Sequence, residues 1–398
     1  MIRLENLTKI FETSEGIVTA ADHINMEVPE GEVCVLLGPS GCGKTTTLKM
    51  INRIVPATSG QVFIDGQDTT ELDTISLRRN IGYVIQQIGL FPNMTIEENI
   101  SVVPKLLGWE KDGYLKRATE LLDLVGLDPN VFKKRFPNEL SGGQQQRVGV
   151  IRALAADPPV MLMDEPFGAI DPINREIIQD EFLKMQQALK KTVLFVSHDI
   201  DEAIKMADKI AIFNSGRLIQ FDSPDRTLAH PVNDFVKDFV GKDRTLKRLR
   251  LVKVADVMES GAETIRPQDD LKLALQRMEN RGHDAITMVD SRNHPVGTVY
   301  RSVAETKRGI CADHHYGLRA IVNINDDLRT VASQMFNHDT TWMPCVDDQG
   351  IFRGEITQRG VTHYLSATYR ESNQEFESMP GGPQPEPGVQ QSVDVTHA

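Results

Sequence analysis

The chain has 398 residues, 40% of them hydrophobic, a length that supports two or three domains with sizeable cores. Its formal net charge of −12 argues against duplex nucleic acid as a main partner, because backbone phosphates call for a basic face. No run approaches the ~18 apolar residues of a membrane span, the opening MIRLENLTKIF lacks the apolar core of a secretory signal, and the four cysteines form no CxxC pair; the expectation is a soluble cytoplasmic protein without a disulfide framework or zinc cluster.

Residues 1 to about 240 alternate short apolar runs with longer amphipathic stretches. GEVCVLLG (31–38), PVMLMDE (159–165), TVLFVSH (192–198) and KIAIFNSG (209–216) read as strands, so the expected fold class is α/β with a mainly parallel sheet flanked by helices. Phe11 falls in a polar loop before the first hairpin, where an aromatic either stacks on adenine or packs into the core. GPSGCGKT (Gly38, Pro39, Ser40, Gly41, Cys42, Gly43, Lys44, Thr45), followed by Thr46, fits the phosphate-loop pattern between a strand and a helix. Its glycines let backbone N–H groups face phosphates, Lys44 would reach the β- and γ-phosphates of ATP, and the Thr45 hydroxyl would ligate Mg²⁺. Gln86, after another strand, would orient water or the metal unless it is simply solvated.

Residues 90–139, with helical patterns such as LKRATELLDLVGL, read as a helical subdomain. Ser141 then stands as an N-cap before Gly142 and Gly143, a second backbone anion site opening a helix that Pro158 and Pro159 end. The subdomain displaces this site sideways, so it would serve the nucleotide of a second copy arranged head to tail, two subunits sandwiching two ATP molecules. In VMLMDE, Asp164 would hold Mg²⁺ and Glu165 would polarise the attacking water as general base. His198, ending LFVSH, suits a γ-phosphate sensor.

A basic stretch, KDRTLKRLRLVK (242–253), reads as a solvated linker helix or as a surface for a partner or anionic lipid. Beyond it DDLKLALQRM (269–278) aligns with DDLRTVASQM (326–335), and TMVDSRNHPVG (287–297) with PCVDDQGIFRG (344–354), at one unbroken offset of 57 residues. This is a duplicated helix–strand–turn–strand unit whose copies are expected to pack face to face. Residues 371–398 contain five acids and no Lys or Arg, with much Pro, Gly and Gln, and read as disordered. The expected division is an ATPase domain over 1–240, a basic linker over 241–253, repeats over 254–307 and 308–367, and an acidic tail over 368–398.

Together these motifs resemble the ABC-type ATPases. Gly38–Thr45 matches the family's Walker A loop, Gln86 its Q-loop, Leu140–Gln144 its LSGGQ signature, Val160–Glu165 its Walker B strand, Gly168–Asp171 its D-loop, and His198 its switch histidine. Phe11 falls where the family has its adenine-stacking aromatic. The resemblance implies that Ser141, Gly142, Gly143, Gln144 and Asp171 contact the partner subunit's nucleotide, and that Thr45, Gln86 and Asp164 surround Mg²⁺. NIGYVIQQIGLFPNMTIEENI and RALAADPPVMLMDEPFGAIDPINR further resemble the ATP-binding subunits of osmoprotectant importers, which move glycine betaine, choline, carnitine and similar quaternary amines. That implies a homodimer on the cytoplasmic face of the plasma membrane, two permease subunits docked on the Gln86 loop and the 90–139 subdomain, and a separate solute-binding protein. The duplication resembles a cystathionine-β-synthase (CBS) domain pair. Nucleotide-binding CBS repeats end in Gly, Ser/Thr and Asp; here Tyr300 and Gly360 depart from that pattern, leaving the ligand unknown and the role either regulatory or structural. An importer ATPase for another solute is the alternative. A non-transport ABC ATPase fits less well, since there is one cassette and no arm-length heptad stretch.

Overall fold

The β-branched and aliphatic runs of the first half do form strands, and VCVLL, VMLMD and TVLFV are buried along their whole length because neighbours cover both faces. The computed structural model describes residues 1–14, 16–86, 89–168 and 170–366, with backbone alone at 172–174; the acidic tail at 368–398 lies outside the described residues. Two compact units result, Met1–Lys247 and Arg248–Ala398.

In the first unit the strands are β1 (Ile2–Thr13), β2 (Gly16–Val28), β3 (Val33–Leu37), β4 (Ser59–Ile64), β5 (Gln67–Asp68), β6 (Ile81–Val84), β7 (Val160–Asp164), β8 (Thr192–Val196), β9 (Lys209–Asn214) and β10 (Arg217–Asp222). One sheet has the order β10-β9-β3-β8-β7-β6, parallel except for the β9–β10 hairpin, as expected of a mainly parallel sheet. A second, antiparallel sheet of order β2-β1-β4-β5 shares a core with it. Ile2, Ile24, Val28 and Val62 from the antiparallel layer join Leu36, Leu162 and Phe213 from the parallel one, with Leu48 and Ile51 of helix Lys44–Ile51. Each such fully buried aliphatic side chain contributes about 1.5–3 kcal/mol. Helices Ile96–Leu106, Lys111–Leu124 and Pro129–Phe132 form the expected helical stretch, the first opened by a capping box between Thr95 and Glu98. Phe11 corrects the sequence reading: it lies within β1 itself, opposite Val18 of β2, because the first hairpin begins at Ile2.

The second unit carries β11 (Glu259–Ser260), β12 (Thr264–Ile265), β13 (Ala285–Val289), β14 (Pro295–Tyr300), β15 (Val322–Asn323), β16 (Trp342–Val346) and β17 (Phe352–Thr357). Helices Leu271–Arg281 and Leu328–Asn337 stand at the 57-residue offset, each started by an aspartate, Asp270 and Asp327, that accepts a backbone N–H in its first turn. The repeats exchange their leading segments. Val254 N–H reaches Asp326 O at 2.9 Å and Ala255 N–H reaches Ile324 O at 3.0 Å, so the start of the first repeat docks on the second. The equivalent Cys311 and Ala312 N–H groups reach Asp269 O and Pro267 O, both at 2.8 Å, in the first repeat. Val254 is accordingly buried in the second repeat's core and Cys311 in the first's.

The basic stretch at 241–253 is not a free linker. Its first part belongs to the first unit, where Lys247 Nζ donates to Val240 O at 2.9 Å, whereas Leu249 and Val252 pack into the core of the second. Burial here follows position rather than residue type: Leu249 is 4% and Arg248 8% exposed, whereas Leu246 is 62% exposed.

Candidate active site

Parallel strands all end on the same edge of a sheet, and loops there meet. Here the carboxyl ends of β3, β8, β7 and β6, adjacent in that order, deliver the phosphate loop, His198, the Asp164–Glu165 pair and Gln86.

After β3 the chain turns on Gly38 (φ 144°), Gly41 (φ 77°) and Gly43 (φ 103°). A Cβ on Gly38 would stand 2.2 Å from Phe213 O, and one on Gly43 would stand 2.0 Å from Ala20 O, so no other residue fits either place. Lys44 is buried and its ammonium folds back on the loop, donating to Gly38 O at 2.7 Å and Pro39 O at 2.9 Å, with Cys42 Sγ at 3.7 Å. The Thr45 hydroxyl donates to Asp164 Oδ1 at 2.9 Å. Asp164 is buried at the end of β7, and its charge, after burial itself, helps push the neighbouring Tyr83 phenol up to about 12.

Glu165 adopts a left-handed backbone (φ 46°), a conformation that costs a non-glycine residue about 1–3 kcal/mol and clusters at functional sites. It is held there by its N–H to Val196 O at 3.1 Å and by Gly168 N–H to its carbonyl at 3.2 Å. Its carboxylate accepts from Gln86 Nε2 at 2.8 Å through Oε2, and Oε1 lies 3.8 Å from His198 Nδ1. Ser40, Gly41, Cys42, Gly43, Lys44, Thr45, Thr46, Glu165 and His198 line one cavity of about 340 Å³, joined by Ala20 of β2, which no motif flags. A buried carboxylate beside a hydroxyl, with an amide nearby, is a hard oxygen set that fits Mg²⁺, which takes few protein ligands and completes its shell with phosphate and water.

The remaining expected residues stand apart from that cavity. Phe11 is half-exposed, with Lys9 Nζ 4.8 Å from its ring centroid, and it sits on the hairpin whose second strand carries Ala20. Ser141 caps helix Gly142–Leu154 in a reciprocal box with Gln144: Gln144 N–H donates to Ser141 Oγ and Ser141 N–H to Gln144 Oε1. Gly142 is open to solvent, and a Cβ there would meet nothing within 4 Å. Asp171 is exposed, just before helix Pro172–Leu189. Sequence reading missed Gln146, buried on the signature helix and donating to Pro166 O, one residue past Glu165; its only signal is its inward helical phase behind the two preceding glutamines.

In the second unit a cavity of about 350 Å³ lies between equivalent strand ends of the two repeats, with Ala285 and Tyr300 facing Trp342 and Thr357. The Thr357 hydroxyl accepts the Gly360 N–H at 2.9 Å, so it already serves as a helix cap. Behind Trp342 the buried Glu355 accepts from Trp342 Nε1 and Thr287 Oγ1, each at 2.8 Å; burial pushes its carboxyl up and those two bonds pull it back.

Comparison with known proteins places this geometry among relatives. The ABC transporter family model matches residues 21–168 and the CBS domain model matches residues 254–302. The osmoprotectant import ATP-binding protein OsmV of Salmonella typhimurium is 57% identical over 369 residues, covering 92% of this chain and 97% of that protein. The glycine betaine/carnitine/choline transport ATP-binding protein OpuCA of Bacillus subtilis is 44% identical, covering 91% and 95%. Among solved structures, the dimeric post-hydrolysis ATP-binding cassette MJ0796 bound to ADP and Pi is 37% identical with a TM-score of 0.51, covering 56% of this chain and 99% of that one.

Proposed function

This chain belongs to the ABC transporter family as an ATP-binding subunit of osmoprotectant importers, and from that premise we propose how its site hydrolyses ATP to drive import of quaternary amines of the glycine betaine, choline and carnitine class. The observation that carries the reading is the junction of four strand ends around one cavity: a glycine-turned anion loop, a Thr45–Asp164 contact, and a Glu165 carboxylate held between Gln86 and His198.

The backbone N–H groups of 40–46 and the Lys44 ammonium bind the triphosphate, Lys44 leaving its loop carbonyls for phosphate oxygens. Thr45 and Asp164, with Gln86, would hold Mg²⁺, whose charge neutralises phosphate oxygens when it is bound. Glu165 accepts a proton from water as that water attacks the γ-phosphorus and the bond to the ADP oxygen breaks. Gln86 occupies Oε2 of the same carboxylate, so Oε1 is the face left for water. His198, 63% exposed, donates toward the γ-phosphate and senses its presence. Phe11 stacks on adenine from the hairpin. Ser141, Gly142, Gly143, Gln144 and Asp171 face the nucleotide of a second copy, a role supported by the uncovered backbone at Gly142 and by the dimeric relative. Two ATP molecules then close a head-to-tail dimer, and hydrolysis reopens it. Peripheral association with the membrane follows from the family, and among the described residues no helix is long and apolar enough to cross one. The cytoplasmic face, two permease subunits and a separate solute-binding protein complete the proposed assembly.

Glu165→Gln tests the chemistry. It is expected to bind ATP and persist as a closed dimer, with turnover lower by at least about 10²-fold. Turnover near the wild-type value would overturn the general-base role.

A further inference from the structure

His198 is mostly exposed, so little packing fixes its imidazole; its direction is set by the backbone on either side. Both flanks are anchored. Ser197 N–H donates to Leu36 O of β3 at 3.0 Å, and its hydroxyl accepts the Asp199 N–H at 3.0 Å, which turns the hydroxyl proton toward Glu202 Oε2. Glu202 Oε1 accepts Gln179 Nε2 at 2.9 Å from helix Pro172–Leu189. Ser197, Gln179 and Glu202 are only 2%, 6% and 8% exposed. A buried carboxylate is costly unless its lone pairs are engaged, and both oxygens here meet a donor. Burial pushes its carboxyl up while those two bonds oppose the shift.

The same helix also reaches the loop before it. Arg175 Nη2 donates to Ile170 O at 2.9 Å, and Arg175 Nη1 lies 4.0 Å from Asp199 Oδ2. Outside the buried contact, Lys205 pairs with Asp180 at 2.6 Å, so helix Ile200–Met206 is tied to helix Pro172–Leu189 at two levels.

We propose that Glu202 is a positioning residue for His198: with Gln179 and Ser197 it latches the turn 197–199 to the helix that follows Ile170 and Asp171, so that the histidine and Asp171 are set together. The latch rests on the reading of His198 as the γ-phosphate sensor. The carboxylate meets both donors as they stand. A glutamine of the same shape offers one acceptor oxygen, so it keeps both contacts only if the Gln179 amide turns over or the Ser197 hydroxyl gives up its donation.

The test uses the full-length protein with labelled histidines, the His198 resonance being the one missing from His198→Ala. Glu202→Gln is expected to lower kcat for ATP about tenfold with KM within about twofold, and to shift or broaden the His198 ring signal while the other histidines stay in place. An unmoved His198 signal, or unchanged kcat, would overturn the latch. If Glu202→Gln does not fold, Gln179→Met removes the opposite donor and is judged by the same two readouts. Wild-type turnover in His198→Ala would overturn the sensor reading instead, so failure of the premise and failure of the latch are seen on different variants.

Discussion

All four thiols are buried, but among them Cys42 alone lines the nucleotide cavity, its sulfur 3.7 Å from the Lys44 ammonium. Burial raises the other three, Cys311 to about 11 and Cys345 to about 12, with Cys34 pushed the same way, and so disfavours their thiolates. A maleimide reagent is therefore expected to modify one thiol per native chain and inhibit ATP hydrolysis, with MgATP slowing both; Cys42→Ala should retain activity through the treatment. Modification at an undiminished rate in saturating ATP would contradict the placement. At this scale much is legible in the sequence alone, because the phosphate loop, Asp164, Glu165 and His198 are bound to motifs of fixed spacing. The left-handed Glu165 and the buried Gln146 and Glu202 are not, since each depends on which distant backbone or side chain comes to meet it. Phe11 is misplaced by sequence reading because its polar neighbours hide a strand whose outer face is solvated.

The duplicated unit is read best at the level of its elements. In each repeat an aspartate after the central strand holds the following turn. Asp290 Oδ1 accepts the His294 and Arg292 N–H groups at 2.9 and 2.8 Å, and the equivalent Asp347 Oδ1 accepts those of Ile351 and Gln349 at 3.0 and 2.9 Å. These bonds favour the ionised form, so both carboxyls sit below the ordinary carboxylate range, led by the bonds from His294 and Ile351. A lowered carboxylate stabilises the fold above its unfolded-state pKa, and that contribution fades as pH falls through the folded value. Stability of the second unit should accordingly drop below about pH 4. Trp342 fluorescence in full-length Trp109→Phe reports it. Asp290→Asn with Asp347→Asn keeps an acceptor but cannot titrate, and is expected to flatten that dependence; an unchanged slope would refute it. The helices and longer strands of the repeats follow from period and offset. The exchange of leading segments does not, because β11, which pairs with β17 of the other repeat, has only two residues and its pairing is decided by tertiary contacts. The same cause makes an apparent linker of a stretch whose Leu249 and Val252 belong to a core.

On the scale of the whole molecule, an ATPase unit is joined to a CBS-containing unit in a chain with no membrane-crossing helix among its described residues. The names of its relatives' transport systems imply membrane-spanning partners, and the solute is assigned here by family rather than by any side chain of the site. The most direct measurement is uptake of radiolabelled glycine betaine, at low and high external salt, by cells with and without this chain and with other carriers removed. Deletion is expected to abolish salt-stimulated uptake, the wild-type chain to restore it and Glu165→Gln to leave it abolished. Undiminished uptake after deletion would contradict the assignment to osmoprotectant import.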